Sequence, residues 1–484
     1  MAAKTALNEK NLRALGVERL AKLVLEMSTG DAALKRQARS ALLEQAGGDA
    51  LANEMRKHFL KIRQSSSFVD WNKQHAFFND LERQHTIIIE KIAPNNPTTA
   101  LELMWQFLEL AGPVHEQTDD SDGSFGEIFR EACSDLGPLM TAAKSDPIAL
   151  AKQVFSTAVT ANDYGQYDSL ISHAVPALGE DGLAHLKTLV LQERTSLGPG
   201  KSEPKSSRTT NWDASSSSHR SDFERDSHKR ALRYALQEIA DAEGDVDSYI
   251  AEYDEETRTV PSIAAEIAIR LLDAGRPDEA MIALEQTKIE RSYIPREWVQ
   301  VRLTTLEALG RNTEAQTYRW QQFETSLDEE YLRAYLKQLP DFEDIEAEGK
   351  ALDIVQDHKN KGAALAFFIN WPSLERAAVL VLKNHSDWDG NDYYLLTPSA
   401  NALEGRYPLA ATILRREMIS YTLGAAKATR YKHAARHLLE CESLVPQIDD
   451  FQDFPTHDEF TASLKRDHVR KTGFWKLLPT GSPD

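Results

Sequence analysis

A short Gly-Arg phrase recurs three times in the second half of this chain. It reads Gly275-Arg276-Pro277-Asp278-Glu279-Ala280, then Gly310-Arg311-Asn312-Thr313-Glu314-Ala315, then Gly405-Arg406-Tyr407-Pro408-Leu409-Ala410. A weaker echo is Arg430-Tyr431-Lys432-His433-Ala434. Glycine enters the left-handed conformation at low cost and so ends a helix, and a small residue four positions after the Arg lets the next helix approach closely. Each phrase is therefore expected to join two antiparallel helices. Gly310 follows Gly275 by 35 residues, close to the roughly 34-residue tetratricopeptide period, whereas Gly405 follows Gly310 by 95, which is no whole number of such periods. The expected fold is all-α, an irregular helix-hairpin, tetratricopeptide-like solenoid.

Helical periodicity extends through the rest of the chain. Leu12 and Leu15 and then Leu20, Leu23 and Leu25 read as two helices that Gly30 breaks. Ser67-Phe68-Val69-Asp70 has the form of a capping box ahead of Trp71, and Pro94 and Pro97 forbid helical continuation. Further helices are expected over 98–110, 126–143, 147–160 and 183–192. Ile263, Ile267 and Leu271 form a stripe before Gly275, and Val299, Leu303 and Leu306 form another before Gly310. A diverged hairpin is expected from Gly362 to Ile369 and from Leu374 to Leu382.

Residues 195–222 interrupt this pattern with Pro199, Pro204, Gly198, Gly200 and the serines 215–218. So few apolar groups cannot offset the entropy of ordering, and the segment is expected to be a flexible linker between two halves, an N-terminal helical domain over 1–194 and a C-terminal repeat domain over 223–484. With 484 residues the chain exceeds a single compact core.

Composition narrows the function classes. Two cysteines, Cys133 and Cys441, stand too far apart for a metal or redox motif and fit a reducing cytoplasm. A net charge of −19 repels phosphate backbones, so nucleic acid is not an expected partner; the charge is expected to keep the protein soluble, with a basic protein or peptide partner as the alternative. Apolar runs are far short of the ~20 residues that cross a bilayer, so no membrane association is expected. Nothing in the residues addresses oligomeric state.

Several stretches resemble an uncharacterised bacterial family of all-helical proteins: Asp119-Asp120-Ser121-Asp122-Gly123, Asp163-Tyr164-Gly165-Gln166-Tyr167-Asp168, Gly244-Asp245-Val246-Asp247, Leu271 to Ala280 and Tyr431 to Leu439. The C-terminal part is similar to the helical region accompanying SWIM-type zinc fingers. That resemblance implies a helical fold and no established activity. The finger itself needs a compact Cys/His cluster, which two distant cysteines cannot supply.

Candidate site residues fall in three groups. Asp119, Asp120 and Asp122 could attract a cation, but an EF-hand register puts Thr118 at position one and Phe129 at position twelve, where a glutamate is needed. A helix-capping acidic turn, or a contact for a basic partner, fits better. Arg276, Arg311 and Arg406 could line a groove, but an Arg after a helix-ending Gly is expected to satisfy the preceding carbonyls. His433 and His437 share a helix face with Cys441 and could supply two or three metal ligands; no motif fixes a fourth, although His457 and His468 follow, and a partly buried face with ordinary hydrogen bonds fits better. Gly198-Pro199-Gly200-Lys201-Ser202 imitates a phosphate loop but lacks its first glycine, and Pro204 blocks the helix that would follow. No nucleophile elbow, zinc-protease motif or dinucleotide fingerprint is present. The expectation is a non-catalytic scaffold without cofactor or metal that binds a protein or peptide; the alternative is a metal-dependent module or enzyme assembled from dispersed Asp and His residues.

Overall fold

The computed structural model describes residues 6–30, 34–36, 38–39, 42, 48–160, 162, 164–197, 216–288 and 294–479, with 48, 160 and 216–224 as backbone only. The described residues form helices and no strand. They divide into two compact units, Met1–Gly275 and Arg276–Asp484. Of the stretch expected as a linker, 195–197 close one helix and 216–222 already belong to the next; 198–215, with the phosphate-loop imitation, lie outside the described residues. The helix that follows buries Leu232, Ala235, Leu236 and Ile239 in the same apolar cluster as the N-terminal helices.

The first unit contains α1 (Glu9–Arg13), α2 (Val17–Ser28), α3 (Gly48–Gln64), α4 (Trp71–Ile87), α5 (Pro97–Leu108), α6 (Ala111–Gln117), α7 (Ser124–Ala142), α8 (Pro147–Thr160), α9 (Leu170–Ser196), α10 (Ser216–Glu243), α11 (Val246–Ala251), α12 (Glu255–Arg258) and α13 (Pro261–Asp273). A π-helical turn, Ile88–Ile92, extends α4. The expected break before Pro97 is present: Asn96 caps α5 by accepting the Thr99 amide at 3.1 Å, and Pro97 occupies the first turn, where its missing N–H costs nothing. The capping box expected at Ser67 does not form. Asp70 is the N-cap of α4 and makes no side-chain cap bond. Such a box closes elsewhere, between Thr456 and Glu459.

Aromatic side chains tie the first core together. Phe107 lies 5.9 Å from Phe59 and 5.4 Å from Phe129, centroid to centroid, so α3, α5 and α7 share one cluster. Helices α7 and α9 approach so closely at Gly137 that a β-carbon there would stand 2.4 Å from the His173 carbonyl oxygen. Helix α9 bends at Gly179, whose φ of 57° and ψ of −170° interrupt the helical run.

The second unit contains α14 (Pro277–Glu285), α15 (Arg296–Ala308), α16 (Asn312–Ser326), α17 (Glu329–Leu336), α18 (Glu343–Asp357), α19 (Lys361–Asn370), α20 (Leu374–Lys383), α21 (Tyr393–Leu403), α22 (Pro408–Gly424), α23 (Tyr431–Leu444), α24 (His457–His468) and α25 (Thr472–Trp475). Most helices here pack on their neighbours in the chain, α15 on α16, α19 on α20, α21 on α22 and α22 on α23.

Two of the repeated phrases are one structure. Gly275 and Gly310 adopt left-handed φ values of 71° and 70°. At the second, the Arg311 amide donates to Leu306 O and the Gly310 amide to Glu307 O, both at 2.9 Å, which is the Schellman closure. Ala280 and Ala315 are both fully buried at the fourth position of the following helix. Gly405 departs from the expectation and takes no left-handed φ. There the Leu403 carbonyl accepts both the Arg406 amide, at 3.1 Å, and the Tyr407 amide, at 2.7 Å, so the connection is one residue longer and Tyr407 replaces Arg as the N-cap.

Candidate functional site

A cleft of about 940 Å³ in the first unit is lined by α8, the residues before α9, and helices α9, α10, α11 and α13. Its floor is set by a capping arrangement. Ser169, the N-cap of α9, makes no side-chain cap bond; the Glu238 carboxylate of α10 accepts the Ile171 and Ser172 amides instead. Negative charge at a helix N-terminus is favourable, yet the carboxyl is mostly buried. Burial outweighs the two amides, and with Asp168 and Asp241 nearby it pushes Glu238 up to about 7.

The opposite wall pairs aromatic hydroxyls with carboxylates. Tyr249 Oη donates to Glu266 Oε2 at 3.0 Å and lies 3.4 Å from Tyr253 Oη. Arg270 grips Asp241 through two bonds of 2.6 and 2.7 Å, and its guanidinium lies 3.7 Å from the Tyr249 ring centroid. Burial, followed by the Tyr253 hydrogen bond, raises the Tyr249 hydroxyl well above its ordinary range. The position of Tyr249 follows from local signals. Gly244 takes a φ of 68° to end α10, and Asp245 caps α11 by accepting the Ser248 amide at 3.0 Å. Gln237 is 4% exposed, lines the cleft, and has an Nε2 without a hydrogen-bond partner. The cleft thus offers carboxylates from Asp168, Glu238, Asp241 and Glu266 together with a spare amide donor.

None of the sequence-derived candidates lines this cleft, and most have structural partners. Asp120 caps α7, accepting the Phe125 amide at 2.8 Å and the Gly126 amide at 2.9 Å, while Asp122 accepts the Ser124 amide at 3.1 Å. Asp119 accepts the Ser121 amide at 3.2 Å. The acidic turn is therefore a capping device. Arg276 forks onto Glu279 with two bonds of 2.6 Å, and Arg311 meets Glu314 at 2.5 Å, each within the first turn of its own helix. Arg406 is exposed.

His433 and His437 do not act as one ligand face. His433 is exposed, whereas His437 is buried and bonds Glu440 at 2.9 Å through Nδ1. Burial lowers the pKa of both rings. Burial also pushes the Cys441 thiol up to about 12, which keeps it neutral and a poor metal ligand. Among the described residues, no group of three or more His, Cys, Asp or Glu side chains is arranged to hold a metal ion. Nor is any helix among them long and apolar enough to cross a membrane.

Sequence reasoning missed Glu238, Tyr249, Glu266 and Arg270. Glu266 and Arg270 stand four apart beside the Ile263, Ile267 and Leu271 stripe, and that spacing was the available signal. No match is found among curated proteins or among solved structures. A family model described as a family of unknown function (DUF6880) matches residues 2–477. No relation to SWIM-associated helices accompanies that match, and the chain belongs to this family of unknown function.

Proposed function

We propose that the protein is a non-catalytic helical scaffold, an irregular tetratricopeptide-like array of hairpins in the cytoplasm, whose first unit receives a basic segment of a partner protein. One observation carries this reading: the Asp168, Glu238 and Glu266 carboxylates and the Tyr253 and Tyr234 rings line one open cleft. A lysine or arginine side chain entering such a cleft finds acceptors for its N–H groups and aromatic faces for its stem. Stacked helical hairpins commonly present concave surfaces of this kind. The net charge of −19 adds long-range attraction for a basic partner.

The test is affinity capture from the native host with the full chain and with an Asp168→Lys, Tyr234→Ala variant. Asp168 and Tyr234 are both exposed at the cleft, so the fold should tolerate the change. Loss of a specific partner at unchanged thermal stability supports the reading. Undiminished capture by the variant refutes it.

A second reading rests on Glu238 alone. A carboxyl held near 7 in an open cleft matches what general acid–base chemistry requires. Turnover in a broad hydrolase screen that disappears in Glu238→Gln would favour catalysis over scaffolding.

A further inference from the structure

Three arginines among the described residues are almost fully buried, and two of them have carboxylates. Arg319 pairs with Glu307. Arg415 pairs with Glu404 at 2.5 Å and with Glu440 at 2.9 Å. Arg416, 4% exposed, has no carboxylate within ion-pair distance among the described residues. Its Nη1 donates to Pro455 O at 2.6 Å, and its guanidinium lies 4.7 Å from the Phe460 centroid and 5.6 Å from that of Phe451. Nε and Nη2 are buried without partners. An unpaired buried cation is among the most costly groups a core can hold, so its retention calls for a counter-ion.

Among the described residues no carboxylate supplies one. A charge on Cys441 would offset Arg416, but burial holds that thiol in its neutral form. Burial also depresses the Arg416 pKa itself, the response of a guanidinium with no compensating negative charge.

Other unpartnered polar atoms lie on the same two helices. Thr412 stands one turn before Arg416 on α22, is 1% exposed, and has an unpartnered Oγ1. His457 and Thr461 stand one turn apart on α24, with unpartnered Nδ1 and Oγ1. Helices α22 and α24 pack together; Phe460, beside Thr461, lies against the guanidinium, and the Arg416 charge is felt at His457. The exposed Glu442 and Asp458 also act on His457. Residues at i and i+4 share a helix face, so each helix contributes two unpartnered groups from one face. Guanidinium N–H groups, hydroxyls and an imidazole are the donor set that satisfies the several acceptor oxygens of a phosphate.

We propose that Arg416, Thr412, His457 and Thr461 form a buried binding site for a small tetrahedral oxyanion of the phosphate class. The site belongs to the second unit and does not depend on the partner-binding role of the cleft. The peptide from Ile448 to Thr456 brings Phe451 and Pro455 against the guanidinium.

The test is titration of the full-length protein with inorganic phosphate at constant ionic strength set by potassium chloride, followed by melting temperature and by phosphorus NMR linewidth. A saturable rise in Tm with line broadening is expected, because a ligand that binds only the folded state stabilises it. Arg416→Met should abolish both effects. Should that variant fail to fold, Thr461→Val carries the test: its Tm without phosphate should match the parent, and its phosphate affinity should fall by about tenfold or more, the loss of one hydrogen bond to a charged group. Sulfate is expected to compete with phosphate. No saturable response to phosphate, equal affinity in the parent and Thr461→Val, or a response to acetate alone would each overturn the proposal.

Discussion

Glu238 on α10 accepts the backbone amide of Ser172 at the start of α9, so one carboxylate both caps a helix and faces the cleft. Burial makes that carboxylate costly when ionised. Folding raises its pKa from 4.5 to about 7, so the folded state holds more protons than the unfolded chain between those values.

Stability should therefore fall as pH rises from about 4.5 to 7, by at most roughly 3 kcal/mol from this group, at 1.36 kcal/mol per pKa unit. Glu238→Gln keeps an acceptor for the amides but cannot ionise. Urea melts at pH 5 and pH 8 should show the variant more stable than the parent at pH 8, with a flatter dependence between the two. A variant that is less stable at pH 8 would mean that the capping charge outweighs its burial.

Asp80 gives the opposite sign. It is 2% exposed and accepts His58 Nε2 and Arg36 Nη2, each at 2.8 Å, together with Arg83. Burial pushes its carboxyl up, but the His58 hydrogen bond and the charges of His58, Arg36 and Arg83 together hold it at about 2. The resulting stability is present above the unfolded pKa near 3.8 and is lost as pH falls through 2. Asp80→Asn leaves a buried cationic cluster without its anion and should cost about 3 kcal/mol at pH 7 in chemical denaturation.

Gly310→Ala and Gly405→Ala should diverge although both lie in the same phrase. A β-carbon meets nothing within 4 Å at either position, so only the backbone decides. Alanine at Gly310 must adopt a φ near 70° and should destabilise by about 1 kcal/mol. At Gly405, where no left-handed φ is needed, alanine reduces unfolded-state freedom and should stabilise by about 0.5 kcal/mol. Paired melting curves compare them directly.

Gly137→Ala tests close packing instead of backbone freedom. The new methyl would collide with the His173 carbonyl and push α7 away from α9. A loss of about 3 kcal/mol is expected by urea titration. A neutral result would mean that the two helices can separate without disturbing the core.

The helical character of the chain, the helices over 98–110, 126–143 and 147–160 and two of the three glycine turns were legible in the residues because each depends on neighbours within about five positions. Asn96 before Pro97 and Gly310 before Asn312 act locally. The turn at Gly405 was misread because its phrase matches in composition but is closed by Leu403 and Tyr407, one residue further along. The fork of Arg276 onto Glu279 was likewise local and open to reading, yet the role expected of the Arg was to satisfy the carbonyls of the preceding helix. The capping box was placed at Ser67, whereas Thr456 has it, since such four-residue patterns recur by chance and only a folded helix start completes them.

Sequence alone determined that this chain is helical and acidic, because hydrogen bonding along a helix and the count of charges require no knowledge of distant contacts. Tertiary structure alone decided which side chains meet. Glu238 reaches α9 across more than 60 positions, and Arg416 meets Phe460 with His457 nearby on another helix. Burial and the partners left missing by burial give these groups their chemistry, and both are properties of packed space that no spacing of residues along a chain encodes.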